Sequence, residues 1–380
     1  MRRAIGRLLL VVLGGTAAPL VASASTFQVV KLAADQVGVA ATTDSSLIGG
    51  WGIGDSPTSP LWLAARGSGR VVLYDGAGVK QGLEVTIPGD GSVTGVVFNA
   101  SFGSGAFNND VFLCGSEDGT VSGWRSALGT TAETLVSPDS ANVYKGIALA
   151  ATGGHAYAYL ANFRTGAIDI LKGDVAAPNL AGTFTDPSLP AGYAPFNVQV
   201  LGGVLYVAYA VQDGAKKDPV AGAGSGIVDR FDLTGSLLGR LITGGALNAP
   251  WGLEIAPAGF SDMAGDVLVG NLGDGRINAF DPTSGALLQT LQDPLGHPIA
   301  IDGLLGLRFG NGGSGGSPTT LFFTASPSGG SHGLFGNLTA ANGNVPTLGE
   351  AGLLALILLL GSAGFIVLSR RFNRQARHCR

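Results

Sequence analysis

The chain has 380 residues, enough for a large core and one big all-β domain, and 63 of them are glycine, more than twice the usual share of roughly 7%. Eight of the 22 basic residues stand at the ends: Arg2, Arg3 and Arg7, then Arg370, Arg371, Arg374, Arg377 and Arg380. That leaves 14 basic and 25 acidic residues between 25 and 345, and a stretch with a net charge of −11 excludes nucleic acid as a partner while remaining a fair host for cations.

Residues 1–24 read as a signal peptide. A basic start (Arg2, Arg3, Arg7) precedes the apolar run Leu8–Leu13, and Ala22-Ser23-Ala24 supplies small residues for cleavage after Ala24. The apolar run is too short for a membrane helix. Arg2-Arg3 invokes the twin-arginine route, but Gly6 interrupts the apolar part of that signal.

Between 25 and 338 the chain repeats itself. A glycine followed by a short strand recurs as "GRVVLYD" from Gly69, "GTVSGWR" from Gly119, "GAIDILK" from Gly166, "GIVDRFD" from Gly226, "GRINAFD" from Gly275 and "GLFGNLT" from Gly333. The spacings are 50, 47, 60, 49 and 58 residues. Each copy follows another apolar strand, and each pair follows a second marker that contains Trp51, Thr94, Lys145, Phe196, Trp251 or Leu305. Two markers in the same order make six repeats of propeller-blade length. The glycines show no collagen-like period, and they fall where helix interiors would lie, which excludes helical repeats.

The expectation is therefore a six-bladed β-propeller over 25–338. Three or four strands cannot bury both faces of a sheet alone, whereas six sheets closed around an axis can. The marker strand is expected innermost, where Gly52, Gly95, Gly146, Gly252 and Gly306 answer the crowding of backbones. The "GSG", "EDG", "RTG" and "GDG" stretches are expected as hairpins between the second and third strands. Thr26–Val30 is expected to complete the last blade, and "GNGGSGGS" at 310–317 to be a flexible loop within it.

Sixfold geometry places Trp51, Thr94, Lys145, Phe196, Trp251 and Leu305 in one ring at a channel mouth. Three residues earlier, Ile48, Gly91, Asn142, Tyr193, Asn248 and Asp302 form a second. Two readings stand for these rings. One is a ligand pocket with an apolar lining and a few polar anchors, carried by Trp51, Asn142, Lys145, Tyr193, Asn248, Trp251 and Asp302. The other is a plug, with the aromatics filling the axis and Lys145 neutralised by a carboxylate. In blade six Asp302 itself precedes a glycine and could occupy the inner ring.

Other signals for chemistry are weak. "GGSGG" at 312–316 matches a nucleophile elbow in letters but lacks the strand-turn-helix context. His155, His297 and His332 form no metal-binding pair, and Cys114 reads as a small buried hydrophobe. No metal site and no catalytic residue is assigned. The insertion 210–226 lengthens one hairpin, where Asp213 and Asp218 could take a hard cation or be balanced by Lys216 and Lys217.

The end of the chain reads as a second address. After a linker at 339–350, residues 351–369 carry no charge, and 19 residues at about 1.5 Å each span roughly 28 Å, close to a bilayer core. The arginines of 370–380 then hold the tail in the cytoplasm. "VPTLGEAG", with Val345, Pro346, Thr347, Leu348 and Glu350 before the apolar stretch, resembles the IPTL-CTERM type of bacterial sorting signal, a relative of PEP-CTERM. That resemblance implies a sorting enzyme in a Gram-negative membrane as partner. Val345, Gly349 and Ala351 depart from the usual Ile, Ser and Trp.

The layout also resembles NHL-type propellers, most clearly in "APWGLEIAP…DVLVGNLGDGRINAFDPTSGALL". With "YKGIAL", "ANFRTGAIDI", "PAGYAPFNVQV" and "HGLFG", the body is similar to a family of exported bacterial propellers of uncharacterised activity. The resemblance implies a fold and no catalytic residues. The functional expectation is an exported, membrane- or surface-anchored binding or scaffold module for a glycan or protein ligand, in the periplasm or at the surface of a Gram-negative cell. The alternative is a calcium-dependent propeller hydrolase of the lactonase or phosphoesterase type. Asn142, Asn248 and Asp302 would supply its donors, and Asp302 is their single carboxylate.

Overall fold

A computed structural model describes residues 25–341. They form six antiparallel sheets in chain order around one axis, a six-bladed β-propeller. The inner strands are Gly50–Gly54, Val93–Phe98, Tyr144–Thr152, Tyr193–Leu201, Pro250–Ile255 and Leu304–Phe309, which are the marker strands of the repeat. Each neighbours the next around the axis. Blade three has three strands and ends at Lys172, with 173–192 irregular where a fourth strand stands in blades one, two, four and five.

Blade six is closed by the start of the described chain. Phe27–Ala34 pairs antiparallel with Leu334–Ala340, from Phe27↔Ala340 to Ala34↔Leu334, and thereby joins the two ends of the ring. Thr42–Thr43 adds a short parallel edge outside it. The core lies between blades. Leu63, Val72, Phe322 and Phe335 weld blade six to blade one. Leu201, Tyr206, Leu253 and Val269 do the same for blades four and five. At about 1.5–3 kcal/mol for each large side chain fully buried, these seams supply the driving force for closure.

The inner strands share a feature beyond their sequence marker. In every blade the register with the second strand slips by one residue, between Gly50 and Ile53, Val93 and Gly95, Tyr144 and Gly146, Pro195 and Asn197, Pro250 and Gly252, and Leu304 and Leu307. These six bulges contain the six inner-ring residues. A bulge re-aims its side chain and bends the strand, and here it does so six times at one level of the channel.

The residue after each bulge meets the adjacent blade's backbone. A Cβ on Gly52 would lie 2.7 Å from the Thr94 carbonyl oxygen, and one on Gly252 would lie 2.7 Å from that of Leu305. Asn197 takes this place in blade four, and its Nδ2 donates to the Trp251 carbonyl at 2.7 Å. Gly52→Ala is therefore expected to cost about 1–3 kcal/mol of stability, read as a lower urea midpoint with unchanged slope. A cost near zero would mean that the inner strands are not in contact.

The 310–317 stretch differs from the flexible loop expected of it. Gly76 N donates to Ser314 O at 2.8 Å, and Asn311 Nδ2 donates to Ser56 O at 2.7 Å, so the loop is docked on blade one. Its glycines serve close approach: a Cβ on Gly76 would overlap the backbone of Gly316.

Candidate functional site

The mouth where the inner strands begin is built by one contribution from each blade. Trp51, Phe163, Phe196, Trp251 and Leu305 are buried in one apolar cluster. Trp51 meets Phe196 edge-on at 6.5 Å, and Phe196 meets Phe163 at 5.4 Å. The axis is thus filled at this level. Thr94 faces the backbone, its hydroxyl donating to the Tyr144 carbonyl at 2.8 Å.

Lys145 enters this apolar plug with its side chain fully buried. Its ammonium donates to Glu117, lies 3.2 Å from Asp218 Oδ1 and sits 5.0 Å from the centre of the Trp51 ring. Glu117, itself buried, accepts from Arg66 Nε at 2.9 Å, and the Arg66 guanidinium lies 5.4 Å from the same ring. Lys217 approaches Glu117 at 3.9 Å. Burying a charge is costly unless it is paired and hydrogen-bonded. Here two carboxylates and a π-face satisfy one ammonium, and Trp51 receives two cations.

The elements explain the geometry. Arg66, Glu117, Phe163 and Leu272 all sit in the tight loops between second and third strands, where Gly69, Gly119, Gly166 and Gly275 turn with φ between +66° and +84°. The blade-four insertion folds back through Pro219–Val220, which pairs with Val211 and Gln212 and lays Lys217 and Asp218 over the mouth. Asp213 caps its own loop by accepting from Lys217 N at 2.8 Å. Above the plug lies a cavity of about 300 Å³ bounded by Trp51, Arg66, Asp218, Leu272, Asp302 and Leu305. A larger cavity of about 660 Å³ lies off the axis, between Phe27–Ala34 and the 293–302 loop, and the repeated ring positions do not converge on it.

The inner ring comes together as placed by sequence, and the outer ring does not. Asp302 borders the mouth cavity and accepts from Ser328 N at 2.9 Å. Asn142 is turned to Asn162, whose Nδ2 donates to it at 2.8 Å, and Asn248 accepts from Gly222 N at 2.7 Å. Tyr193 packs against the apolar seam of blades three and four. Arg66 and Glu117 were missed. Their signal was their place in the "ARGSG" and "SEDG" turns, equivalent to Phe163 in "NFRTG" and Leu272 in "NLGDG".

The remaining candidates are dispersed. His155 pairs with Asp174, His297 with Asp293 and His332 with Asp35, each at a different blade. Among the described residues no group of three or more His, Cys, Asp or Glu could hold a metal ion. Cys114 is buried, and burial pushes its thiol up to about 12. Ala24, Val345, Pro346, Thr347, Leu348, Glu350, Cys379 and the apolar 351–369 segment lie outside the described residues. Among the described residues no helix is long and apolar enough to cross a membrane.

Comparison with known proteins gives the chain its relatives. No family model matches it. "Uncharacterized protein R648" of Acanthamoeba polyphaga mimivirus is 31% identical over 306 residues, covering 74% of this chain and 74% of its own length. The chain belongs to the family of that protein. "Uncharacterized protein L690" of the same virus is 30% identical over 306 residues, covering 74% of this chain and 79% of itself. These relatives are viral, so they do not support the bacterial origin implied by the sequence resemblance. Among solved structures, a "glucose dehydrogenase" aligns over 83% of this chain and 100% of its own, with a TM-score of 0.51 and 12% identity, a likeness of fold alone.

Proposed function

We propose that the chain is an exported, membrane-tethered propeller that binds a glycan at the channel mouth. The observation that carries this reading is the cavity of about 300 Å³ above a filled axis, with Trp51, Leu272 and Leu305 as an apolar floor and Arg66, Asp218 and Asp302 as a charged rim. A pocket with an apolar floor and a few placed donors and acceptors suits a sugar ring, which offers an apolar face and hydroxyls at its edge. Lys145 is held in ion pairs under the floor and does not line the cavity. A calcium-dependent hydrolase is the weaker reading, because Asn142 and Asn248 spend their carbonyl oxygens on protein donors.

Export and tethering rest on the basic, apolar and Ala-Ser-Ala order of 1–24 and on the uncharged 351–369 stretch followed by arginines. The tripartite tail supports a Gram-negative periplasm or surface and a sorting enzyme as partner.

The test is a glycan array probed with the labelled full-length chain. Asp302→Ala, an exposed change, is expected to lower binding at least tenfold, on the order of 1.4 kcal/mol, without lowering the melting temperature. An array without hits, or hits that Asp302→Ala and Arg66→Ala leave unchanged, would remove the mouth as the binding site.

A further inference from the structure

The outermost strands of blades four and five open on the same pair of residues. Leu237 and Leu238 begin Leu237–Thr243, and Leu287 and Leu288 begin Leu287–Thr290. The two pairs hold equivalent places in the repeat, with Leu237 opposite Phe231 and Leu287 opposite Phe280. All four leucines are exposed, from 37% at Leu237 to 54% at Leu238.

The same place in blade one is polar. There Lys80 stands opposite Tyr74, is followed by Gln81 and pairs with Asp44 and Glu84. The outermost strand of blade two opens on Glu133, which pairs with Arg125. A strand at the rim has no outer neighbour to cover its side chains, so polar residues are the ordinary choice for it. Two adjoining leucine pairs therefore mark a surface made for contact.

The two strands abut. The turn before Leu287 rests on Leu237–Thr243, so that a Cβ on Gly285 would lie 1.8 Å from the Leu241 carbonyl oxygen, and Arg230 Nη1 donates to the Pro282 carbonyl at 2.9 Å. Apolar exposure continues towards blade six with Leu295, in the turn that follows Leu287–Thr290, and Val30, in Phe27–Ala34.

Both ends of the described chain meet at this rim. Phe27 N donates to Gln292 O at 2.8 Å, two residues beyond Leu287–Thr290, and Ala341 N donates to Thr26 O at 2.8 Å. Nine residues, 342–350, separate Ala341 from the uncharged stretch that begins at Ala351, an extended reach of about 30 Å. Leu288 stands four residues from Gln292, at most about 14 Å along the strand. The leucine pairs thus lie within one tether length of the point where 351–369 would enter a bilayer.

We infer that this rim is a lipid-contacting surface, with Leu237, Leu238, Leu287 and Leu288 resting in the interfacial layer of the bilayer that holds 351–369. The inference rests on the tether proposed above. A short tether keeps a lipid surface within reach of every molecule, and the high effective concentration turns shallow insertion of four aliphatic side chains into lasting contact. The propeller then lies on its side, its axis along the membrane, and the mouth opens across the lipid surface.

The test places an NBD fluorophore on Leu288→Cys in the full-length chain with Cys379→Ser, which leaves Cys114 buried and unlabelled. The protein is reconstituted in phosphatidylcholine vesicles containing lipids with a nitroxide on the acyl chain. Gln81→Cys, from the matching pair on blade one, is the control. Quenching at 288 is expected to exceed quenching at 81 by about threefold or more, because only the first probe reaches the acyl region. Leu237→Ser/Leu238→Ser/Leu287→Ser, all exposed changes, is expected to remove about half or more of the quenching at 288 without altering the melting temperature or flotation with the vesicles. A chain that floats with vesicles yet shows equal quenching at 288 and 81 overturns the lipid-contacting rim and leaves the tether standing. A chain that does not float overturns both. Self-quenching at 288 that disappears on dilution with unlabelled protein assigns the rim to a second copy and overturns the inference.

Discussion

Replacing Glu117 by glutamine is expected to cost about 3–5 kcal/mol of stability, the loss typical of a buried ion pair that keeps one partner. The substitution preserves shape, so the loss measures charge. Lys145 would remain fully buried with a half-exposed Asp218 as its remaining carboxylate, and Arg66 would lose its only close side-chain acceptor among the described residues. The Trp51 ring softens the loss, since a cation over a desolvated ring is worth about 2 kcal/mol or more. The companion change Lys145→Met removes the stranded cation. The double variant Glu117→Gln/Lys145→Met is therefore expected to recover at least half of the loss in urea denaturation, because apolar replacement of both partners of a buried pair is often neutral. A single-variant cost below 1 kcal/mol would show that water reaches the pair.

Stability is expected to rise as pH falls from 8 towards 5, the reverse of the usual acid sensitivity. Glu254 is pushed up to about 7, and so is Asp229, by burial first and then by the charge of Asp186, against the opposing pull of Arg240. A carboxyl whose folded pKa exceeds its unfolded one holds its proton better in the native state. Its contribution is complete below the unfolded value near 4 and is lost as pH climbs through 7. The shifts correspond to on the order of 3 kcal/mol for each group. Below pH 4 the trend reverses. Glu84, which accepts hydrogen bonds from Lys80 and Arg70, and Glu133, which accepts from Arg125, are both held low and surrender stability when protonated. Urea midpoints across pH 3–8 should peak near pH 4, and Asp229→Asn should remove its share of the slope. A midpoint that climbs steadily to pH 8 would refute the assignment of buried, protonated acids.

The repeat was legible because the same physical demand recurs six times. Every blade needs a tight turn before its third strand and a small residue where inner strands touch, and Gly52, Gly95, Gly146, Gly252 and Gly306 answer the second demand. Asn197 breaks the pattern and bridges to the Trp251 carbonyl instead. The far end of the channel, where Arg308 pairs with Asp55 and Glu254, was not legible, and the bulges explain why. A one-residue slip reverses which side of the strand each later side chain faces, so counting by twos from Trp251 or Leu305 leads away from Glu254 and Arg308. The outer ring failed for another reason. Asn142 and Asn248 lie in turns, where amides are used by neighbouring backbone and side chains before any ligand. Arg66 and Glu117 lie in turns that read in sequence as punctuation, and the pairing of Glu117 with Lys145 spans two blades.

The clasp in blade six sets an order of events. Its outer strand, Phe27–Ala34, lies near the beginning of the described chain, and its partner, Leu334–Ala340, lies near the end. During directional synthesis or translocation the first strand must wait unpaired while more than 300 residues follow it. Blades one to five can stack in sequence, but the circle stays open with two raw β-edges until the final hairpin arrives. The last step therefore carries the largest loop-closure penalty in the fold, and a chain stalled before Leu334 presents a sticky, half-made ring rather than a smaller finished one.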